Sequence, residues 1–341
     1  MADNIQEGNK TLRFGIVGTN FIVDTVLAAA ALDSRFSATA IYSRTQETAD
    51  AFAGKHNIPY TFTSLEEMAQ SDLIDAVYIA SPTAYHAKQS ILFMENGKHV
   101  LCEKPMASNI HEVQAMIAAS HKYGVTLMEA MRSTLTPNFK KVVDSLPEVG
   151  TIRRYFASYC QYSSRYDKLK AGIVENAFKP EFSNGAVMDL GVYTIYPMIV
   201  LFGKPLSIHA SGLLLPTGVD GQGAVNFEYE GMNATVLYSK ISDSLLPSEI
   251  QGESGIISLD RIDVISKAQF HKRKGDSYTL SIDTQKNEYY YEIAEFIDLV
   301  ESGRRESFIN SHANSLATIE VIDEIRRQIG VVFPADTDSK F

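Results

Sequence analysis

The chain has 341 residues, 45% of them hydrophobic and 21% charged, which is typical of a soluble enzyme with two domains. It carries 31 Lys and Arg against 41 Asp and Glu, a net charge of −10, which argues against nucleic acid as a partner. The two cysteines lie in apolar surroundings, and the polar N-terminus is unlike a signal peptide, so we predict a cytoplasmic protein. No His or Cys residues have the spacing of metal ligands, and no run of about 18 apolar residues is present, so we predict neither a metal site nor a membrane span.

The first part of the chain, residues 1–132, alternates short apolar strands with amphipathic helices. The strand-like stretches include LRFGIVG, FSATAIYSR, IDAVYIAS, KHVLCEK and VTLMEAM, with helical patterns between them. Nearly continuous apolar strands are typical of a parallel sheet that is covered on both faces. The alternation predicts an α/β fold, with an N-terminal Rossmann domain built on a doubly wound parallel sheet.

The first strand ends in a turn that departs from the dinucleotide-binding fingerprint. The fingerprint reads G-x-G-x-x-G or G-x-G-x-x-A, whereas this chain has Gly18, Asn20 and Val23 at the three positions. Gly18 keeps the tight turn, and we expect Asn20 to take a left-handed backbone conformation, which asparagine enters more readily than most residues. The helix N-terminus would still offer amides to a pyrophosphate. The pattern by itself fits either a dinucleotide site or an ordinary strand–turn–helix.

The end of the second strand bears on the choice between NAD and NADP. NAD-specific sites usually place Asp or Glu there to bind the ribose 2′-hydroxyl, but this chain reads AIYSRT. Ser43 and Arg44 therefore stand where a 2′-phosphate would lie, and arginine suits a phosphate dianion. The alternative is a solvated loop arginine. We expect NADP to be preferred and NAD to be the second choice.

Residues 133–341 have a different pattern. Longer and often alternating strands, such as TIRRYFASYCQY and MNATVLYSKI, are joined by Gly, Asp and Pro turns, and two helical segments close the chain. This pattern predicts a C-terminal α+β domain with a large open, mostly antiparallel sheet. We place the boundary between the two domains at 132/133.

Several stretches together resemble one enzyme family. They are GIVGTNFI, DAVYIASPTAYH, GKHVLCEKPMA, LMEAMRSTLTPNF, NGAVMDLGVYTIYPMIVLFG and IEVIDEI, and they run almost from end to end. The chain resembles the Gfo/Idh/MocA oxidoreductases, and among them the dimeric dihydrodiol dehydrogenase-like members, because tyrosine rather than histidine follows Asp189 by four residues. Members of the family usually read G-T-G-x-I-A at the turn, so this chain departs from the family at Asn20 and Val23.

The resemblance implies a set of cofactor-binding residues in the turns that follow the strands. They are Gly18, Thr19, Asn20, Phe21, Ile22, Ser43, Arg44, Ser81, Pro82, Thr83, His86, Glu103, Lys104, Pro105, Glu129 and Arg132. It implies that Glu103 and Pro105 shape the cofactor wall, with a cis bond between Lys104 and Pro105. A histidine at a helix start usually caps or packs, so we expect His86 to support that wall. Glu129 and Arg132 are expected to point toward the cleft.

Lys104, Asp189 and Tyr193 are the catalytic candidates. Oxidation of a secondary alcohol needs a hydride acceptor and a group that moves the hydroxyl proton. A lysine at the carboxyl end of a parallel strand can point into the cleft, and Asp189 and Tyr193 share one face if their segment is helical. The resemblance implies that Asp189 orients the substrate and that Tyr193 transfers the proton, with Lys104 lowering its pKa. The residues leave open whether Lys104 or Tyr193 makes the transfer, and a surface lysine and a core tyrosine are the alternatives.

The resemblance implies an NAD(P)-dependent oxidoreductase that moves a hydride between nicotinamide and a secondary alcohol or ketone of a sugar, polyol or cyclic diol. Arg165 and Tyr166 are candidates for substrate contact, with a solvent-facing loop as the alternative. The second domain would bind substrate and form a homodimer or homotetramer through the outer face of its sheet. The alternative function is a dinucleotide-sensing protein on the same fold that does not turn over substrate.

Overall fold

A computed structural model describes residues 11–337 of the chain, and the N-terminal segment on which the signal-peptide expectation rests lies mainly outside them. The strands are β1 (Leu12–Val17), β2 (Phe36–Tyr42), β3 (Tyr60–Phe62), β4 (Ala76–Ile79), β5 (His99–Glu103), β6 (Leu127–Ala130), β7 (Ile152–Cys160), β8 (Ser207–Leu214), β9 (Asp220–Tyr229), β10 (Met232–Ser239), β11 (Ser248–Gly252), β12 (Gly255–Leu259), β13 (Ala268–Lys272) and β14 (Tyr278–Thr279). The α-helices are α1 (Phe21–Ala30), α2 (Gln46–His56), α3 (Leu65–Gln70), α4 (His86–Glu95), α5 (Ile110–Tyr123), α6 (Pro137–Val149), α7 (Ser164–Lys170), α8 (Val192–Phe202), α9 (Glu288–Glu301) and α10 (His312–Ile329).

The first sheet is parallel, with the strand order β3-β2-β1-β4-β5-β6. Its central strands are almost entirely buried, which agrees with their continuous apolar sequences. The order confirms the predicted doubly wound Rossmann sheet. The strand order reverses between β1 and β4, and in such sheets this switch point is where ligands bind, at the carboxyl ends of the strands.

The second sheet has eight strands in the order β14-β13-β12-β11-β7-β10-β9-β8. All neighbouring pairs are antiparallel except β10 and β7, which run parallel from Asn233 opposite Arg154 to Ser239 opposite Cys160. The prediction of a large, mostly antiparallel sheet is therefore confirmed. The parallel pair makes β7 and β10 end at the same edge of the sheet.

A buried helical run covers the inner face of the second sheet. It comprises a π-helical turn over Val187–Gly191 followed by α8, which packs against β7 and β10. The segment Pro180–Phe202 is long and apolar enough to cross a membrane by length and composition alone, and 78% of its most apolar window is buried inside the protein. Such burial is what the core helix of a folded domain shows.

The chain returns to the first sheet near its end. The ring of Phe296 on α9 lies 5.7 Å from the ring of Phe14 on β1, and both side chains are fully buried. Arg35, before β2, forms ion pairs with Asp298 and Glu301 of α9 at 2.7 and 2.8 Å. A helix from the C-terminal part of the sequence thus covers the Rossmann sheet, and the domain boundary at 132/133 stays a prediction.

The two cysteines are free thiols that lie in different sheets. Cys102 on β5 is buried, whereas Cys160, the last residue of β7, is half-buried, so the apolar surroundings seen in the sequence correspond to full burial for Cys102 alone of the two. Between residues 11 and 337, no group of three or more His, Cys, Asp or Glu side chains is placed to hold a metal ion.

Candidate active site

A cavity of about 660 Å³ lies where the loops after β1, β4, β5 and β6 face the second domain. The predicted residues that line this cavity are Asn20, Phe21, Ile22, Ser81, Pro82, Thr83, His86, Glu103, Lys104, Pro105, Arg132, Arg165, Asp189 and Tyr193. Gly18 and Thr19, Ser43 and Arg44, and Glu129 and Tyr166 lie outside its lining. The structure therefore brings the three catalytic candidates into one cleft with most of the predicted cofactor residues.

The turn after β1 is built differently from the prediction. Asn20 has φ −85° and ψ 171°, an extended rather than a left-handed conformation, because it is the N-cap of α1. Its Oδ1 accepts from the amides of Ile22 and Val23 at 2.9 and 3.4 Å, and its Nδ2 donates to the carbonyl oxygen of Ala80 at 2.9 Å. The asparagine side chain thus ties the turn to β4.

Gly18 supplies the positive φ of this turn. Its φ is +124°, and a Cβ atom there would lie 2.7 Å from the carbonyl oxygen of Ala80. An L-residue with a side chain would be strained at this φ and would collide with the backbone of β4. The first position of the fingerprint therefore keeps its geometric role.

Ser43 and Arg44 follow β2 at the rim of the first sheet, outside the central cavity. The Ser43 amide donates to the carbonyl oxygen of Phe62, which holds this loop against β3. Arg44 is exposed, and its side chain forms no hydrogen bond or ion pair with any other residue in the described range 11–337. Its guanidinium is thus available to an anion that extends along the carboxyl edge of the sheet.

His86 joins two walls of the cavity. This buried first residue of α4 places Nδ1 3.0 Å from the carbonyl oxygen of Pro105 and Nε2 2.8 Å from that of Ser81. Burial lowers the pKa of His86, whereas the hydrogen bonds to the two carbonyl groups raise it. Its place between the two loops agrees with the supporting role expected from the sequence.

The segment Glu103–Pro105 forms the wall after β5, and the bond between Lys104 and Pro105 is cis. The Tyr78 hydroxyl donates to Glu103 Oε1 at 2.5 Å, and burial raises the pKa of the Glu103 carboxyl although Lys104 opposes this. Glu129 does not point toward the cleft as predicted. It is 2% exposed, lies behind this wall and accepts from the Met106 amide at 2.9 Å, and burial raises its pKa to about 7.

The carboxylate of Asp189 lies between two lysines. Lys104 Nζ is 3.1 Å from its Oδ1 and 3.0 Å from its carbonyl oxygen, while Lys240 Nζ is 2.7 Å from its Oδ2. Burial opposes ionisation, but the two ammonium groups hold the pKa of Asp189 well below its usual value. The π-helical turn over Val187–Gly191 brings Asp189 to the cleft, so the helical spacing expected for Asp189 and Tyr193 is present.

Tyr193 is held by Arg132 rather than by Lys104. Arg132 Nη1 donates to the Tyr193 hydroxyl oxygen at 2.6 Å and to that of Tyr289 at 2.9 Å. Lys104 Nζ instead lies over the Tyr193 ring, 4.7 Å from its centroid. Burial raises the pKa of Tyr193 well above its usual value, with Arg132 as the main opposing charge, and the lowering of this pKa by Lys104 stays a prediction.

Arg132 lies beside the second domain, not only beside the cofactor loops. Its Nη2 is 3.4 Å from Asp263 Oδ2, and its Nε lies 3.5 Å from a carboxylate oxygen of Glu288. With the two phenol oxygens it therefore faces four groups from later segments of the chain. The sequence predicts Arg132 as a cofactor ligand, but its contacts orient it toward Tyr193.

The two substrate candidates on α7 separate in the structure. Arg165 lines the cavity and forms an ion pair with Glu175, whose carboxylate oxygen is 3.6 Å from its Nε. Tyr166 packs its ring against Phe178 at a centroid distance of 6.1 Å and does not line the cavity. Arg165 is thus placed to contact a bound molecule, whereas Tyr166 supports the loop from behind.

Both halves of the chain match described protein families. Residues 12–131 match the oxidoreductase family with an NAD-binding Rossmann fold, and residues 139–258 match the GFO/IDH/MocA C-terminal domain. The chain belongs to the Gfo/Idh/MocA oxidoreductase family. The family membership inferred from the motifs is confirmed.

Relatives within the Gfo/Idh/MocA family are similar to this chain over nearly its whole length. It is 50% identical over 325 residues to scyllo-inositol 2-dehydrogenase (NADP(+)) IolU of Bacillus subtilis (strain 168), covering 95% of this chain and 99% of that protein. It is 31% identical over 340 residues to trans-1,2-dihydrobenzene-1,2-diol dehydrogenase of Danio rerio, covering 96% of this chain and 99% of that protein. The resemblance to dihydrodiol dehydrogenases is therefore present, alongside a stronger similarity to an inositol dehydrogenase.

Two solved structures of oxidoreductases share the fold. The 3-ketoreductase KijD10 from Actinomadura kijaniata, in complex with NADP and TDP-benzene, superposes with a TM-score of 0.82 at 22% identity, covering 94% of this chain and 98% of that chain. The aldose-aldose oxidoreductase from Caulobacter crescentus, complexed with glycerol, gives a TM-score of 0.82 at 20% identity, covering 94% and 97%. At these identities the likeness concerns the fold.

The residues present fit a nicotinamide dinucleotide. Gly18 lets the backbone of the first turn pass close to β4, and Asn20, Phe21 and Ile22 face the cavity at the N-terminus of α1. The same cavity continues past Ser81–Thr83 to Lys104, as a dinucleotide lying across the switch point requires. The departure of the turn from the family pattern is accommodated because Asn20 caps the helix from an extended conformation.

Lys240 is the site residue that sequence reasoning missed in this Gfo/Idh/MocA member. It follows β10 and reads in the sequence as an ordinary lysine at the end of an alternating strand. The one sequence feature that could have identified Lys240 is its position after the apolar stretch ATVLYS. A lysine at the end of such a strand can lie at the edge of a buried face. Tyr289, which shares Arg132 with Tyr193, was missed as well because it lies far along the chain on α9.

Proposed function

We propose that the protein is an NADP-dependent dehydrogenase that oxidises a secondary hydroxyl of a cyclic polyol or diol and, in reverse, reduces the ketone. The observation that carries this proposal is the convergence of Lys104, Asp189 and Tyr193 in a cavity that also contains the cofactor loops. Similarity to an NADP-dependent inositol dehydrogenase over 95% of the chain supports the substrate class and the cofactor. The bound nicotinamide accepts or delivers the hydride.

Lys104 is the best-placed group for the proton. Two of its three ammonium protons point to Asp189, which leaves the third for the substrate oxygen. In the reducing direction Lys104 gives a proton to the oxygen as the carbon gains hydride, and in the oxidising direction the neutral amine takes the proton back. The raised pKa of buried Tyr193 makes this phenol a poor base at neutral pH, so we assign it the orientation of the substrate.

The polar character of the second-domain side supports a neutral polyol as substrate. Glu175, Asn176 and Asn184 line the cavity opposite the cofactor loops, and Glu175 pairs with Arg165. Glu175 also pairs with Lys168 at 2.5 Å, so this wall combines charged and amide side chains. Such a surface can form hydrogen bonds with several hydroxyl groups of a polyol.

We further propose that the protein forms a homodimer or homotetramer through the outer face of the second sheet. Leu213 and Leu214 at the end of β8 are 50% and 42% exposed on that sheet, and Leu206 just before β8 is 75% exposed. Exposed apolar side chains on a broad sheet are stabilised by a covering partner. Light scattering on the purified protein would measure the state, and a monomer at micromolar concentration would contradict the proposal.

The assay of the proposed function is steady-state turnover with scyllo-inositol, other inositols, and cyclic diols, each with NADP⁺ and NAD⁺. We expect turnover of at least one cyclic polyol or diol with NADP⁺ preferred, and a loss of about 10²- to 10⁴-fold in kcat for Lys104→Met, the range that general acid–base groups contribute. A melting temperature close to that of the wild type serves as the folding control for Lys104→Met. Tight NADPH binding by the wild type without turnover of any of these substrates would favour the dinucleotide-sensing alternative.

A further inference from the structure

Lys240 is a buried cation at the active site for which the family motifs give no role. Its side chain is 3% exposed, and its Nζ lies 2.7 Å from Asp189 Oδ2, 3.5 Å from the Ala177 carbonyl oxygen and 5.3 Å from the centre of the Phe178 ring. Burying an ammonium group is costly, and the cost falls only when a close anion or dipole compensates. The close contacts of Lys240 lie within the wall that carries Asp189, and its charge also favours the ionised form of the buried Asp220 carboxyl by lowering the pKa that burial raises.

The pairing of Asp189 does not by itself require this lysine, because Asp189 already has a partner. Lys104 occupies Oδ1 and the backbone carbonyl oxygen of Asp189, so this carboxylate would remain paired without Lys240. An apolar residue at position 240 would avoid the desolvation of a second ammonium group. The extra cation therefore calls for a functional explanation.

The charge of the cluster provides one. Lys104 and Asp189 alone carry no net charge when Lys104 is protonated and one negative charge when it is not, and Lys240 makes this cluster more positive by one unit in either state. A preorganised positive charge stabilises the negative charge that develops on the alcohol oxygen during hydride transfer. In addition, a carboxylate fixed at both oxygens holds Lys104 in a single position.

We propose that Lys240 is a positioning residue for the reaction: it holds Oδ2 of Asp189, fixes Lys104 toward the substrate oxygen and makes the cluster more positive by one unit. This inference rests on the proposed dehydrogenase function. Lys240 acts through Asp189 and does not itself accept the substrate proton, because its Nζ is turned toward Asp189 Oδ2 and Ala177.

Three substitutions at position 240 separate charge from shape. Lys240→Met keeps the length and removes the charge, Lys240→Gln keeps hydrogen-bond donors without charge, and Lys240→Arg keeps the charge. Lys204→Met is the matched control, because Lys204 is exposed and, within residues 11–337, forms its one ion pair with Glu320 of α10. The measurements are kcat and KM for the polyol that the wild type turns over, the NADPH dissociation constant, and the isotope effect with substrate deuterated at the reacting carbon.

We expect Lys240→Met and Lys240→Gln to lower kcat by about 10- to 100-fold. Losses of this order are found when a group that stabilises transition-state charge or orients a functional side chain is removed. KM and NADPH affinity should stay within about threefold, the isotope effect on kcat should rise, and Lys240→Arg should recover most of the activity. If Lys240→Met folds poorly, as judged by its melting temperature, Lys240→Gln decides.

The inference would be overturned if Lys240→Gln kept the wild-type kcat, or if Lys240→Gln and Lys240→Arg lost kcat equally. Either result would leave the proposed function intact. A wild-type protein that binds NADPH but turns over none of the polyols or diols would instead overturn the proposed function, and this inference with it. An activity loss of the same size in Lys204→Met would also count against a specific role of position 240.

Discussion

Arg132 Nη1 lies 2.6 Å from the hydroxyl oxygen of Tyr193 and connects the loop after β6 to the helix that carries the second domain's catalytic candidate. A guanidinium group can only donate, so the Tyr193 oxygen accepts, and its own proton remains for another partner. The same Nη1 reaches the Tyr289 hydroxyl on α9 at 2.9 Å. Arg132 therefore fixes where two phenol groups point.

Replacing Arg132 by Met should impair both stability and turnover. The buried hydroxyl groups of Tyr193 and Tyr289 would lose their donor, which costs about 1–3 kcal/mol of unfolding free energy. We expect kcat to fall by about tenfold or more because the phenol loses its fixed orientation. Urea unfolding and steady-state kinetics measure the two effects.

The control for this substitution is Arg261→Met. Arg261 pairs with the same carboxylate, Asp263, at 2.6 Å but has no hydrogen bond to Tyr193 among the described residues. It should therefore leave kcat near the wild-type value. Equal losses of kcat in the two variants would show that Asp263, rather than the contact to Tyr193, is what matters.

Arg44→Ala should weaken NADPH binding by about 10- to 100-fold, the equivalent of one or two hydrogen bonds to a charged group. NADH lacks the 2′-phosphate, so its affinity should change less than about twofold. Fluorescence titration of the bound nicotinamide measures both. Arg153→Ala is the control, because Arg153 is an exposed arginine paired with Glu253 in the second sheet. A parallel loss for both nucleotides would contradict the 2′-phosphate role.

Glu129 should make the protein less stable as the pH rises. Burial raises its pKa from 4.5 to about 7, so the folded protein favours the protonated carboxyl and the unfolded chain does not. Its contribution to stability is therefore complete below pH 4.5 and is lost progressively up to about pH 7, by at most about 3 kcal/mol. Above pH 7 no further change from this group is expected.

Glu129→Gln should flatten this dependence, because glutamine keeps the acceptor for the Met106 amide but does not ionise. The difference in unfolding free energy between the variant and the wild type should therefore grow in favour of the variant by about 1–3 kcal/mol from pH 5 to pH 8. Urea unfolding at the two pH values tests this. Glu230→Gln, at an exposed position, is the control and should show no such gain. Parallel pH curves for wild type and Glu129→Gln would contradict the role of burial.

Gly18→Ala should destabilise the first turn by about 1–3 kcal/mol and weaken cofactor binding, because alanine is strained at positive φ. Its Cβ would also approach the Ala80 carbonyl oxygen to 2.7 Å. Gly54→Ala is a matched control: Gly54 lies in α2 with open space around it, so alanine should leave stability unchanged or raise it by up to about 1 kcal/mol. A stable Gly18→Ala protein with wild-type NADPH affinity would contradict the requirement for glycine.

The sequence predicted the elements whose signals are local. Apolar runs of strand length separated by amphipathic helices identify the Rossmann sheet, and its topology then places the turns after β1, β4 and β5 at one edge. Lys104 and Asp189 were predicted from motifs, and the structure places them within 3.1 Å of each other. Their catalytic roles stay predictions, which the variants above test.

The features that sequence reasoning missed depend on contacts between distant segments. Lys240 follows β10, and its distance to Asp189 depends on the parallel pairing of β10 with β7, which no local pattern reports. Glu129 was expected in the cleft, but side chains alternate along a strand, so a shift of one residue turns a side chain from the cleft into the core. Asn20 took an extended conformation because a cap to α1 competes with the left-handed alternative.

The packing of α9 on β1 has a consequence for synthesis on the ribosome. When residues up to about 132 have emerged, Phe14 still lacks its cover, because Phe296 is encoded more than 280 residues later. The nascent Rossmann domain therefore exposes an apolar face until nearly the whole chain has been made. Chaperones bind such faces. Splitting the chain after the Rossmann domain would leave that face permanently exposed. A circular permutation that places α9 directly before β1 in the sequence would cover it earlier.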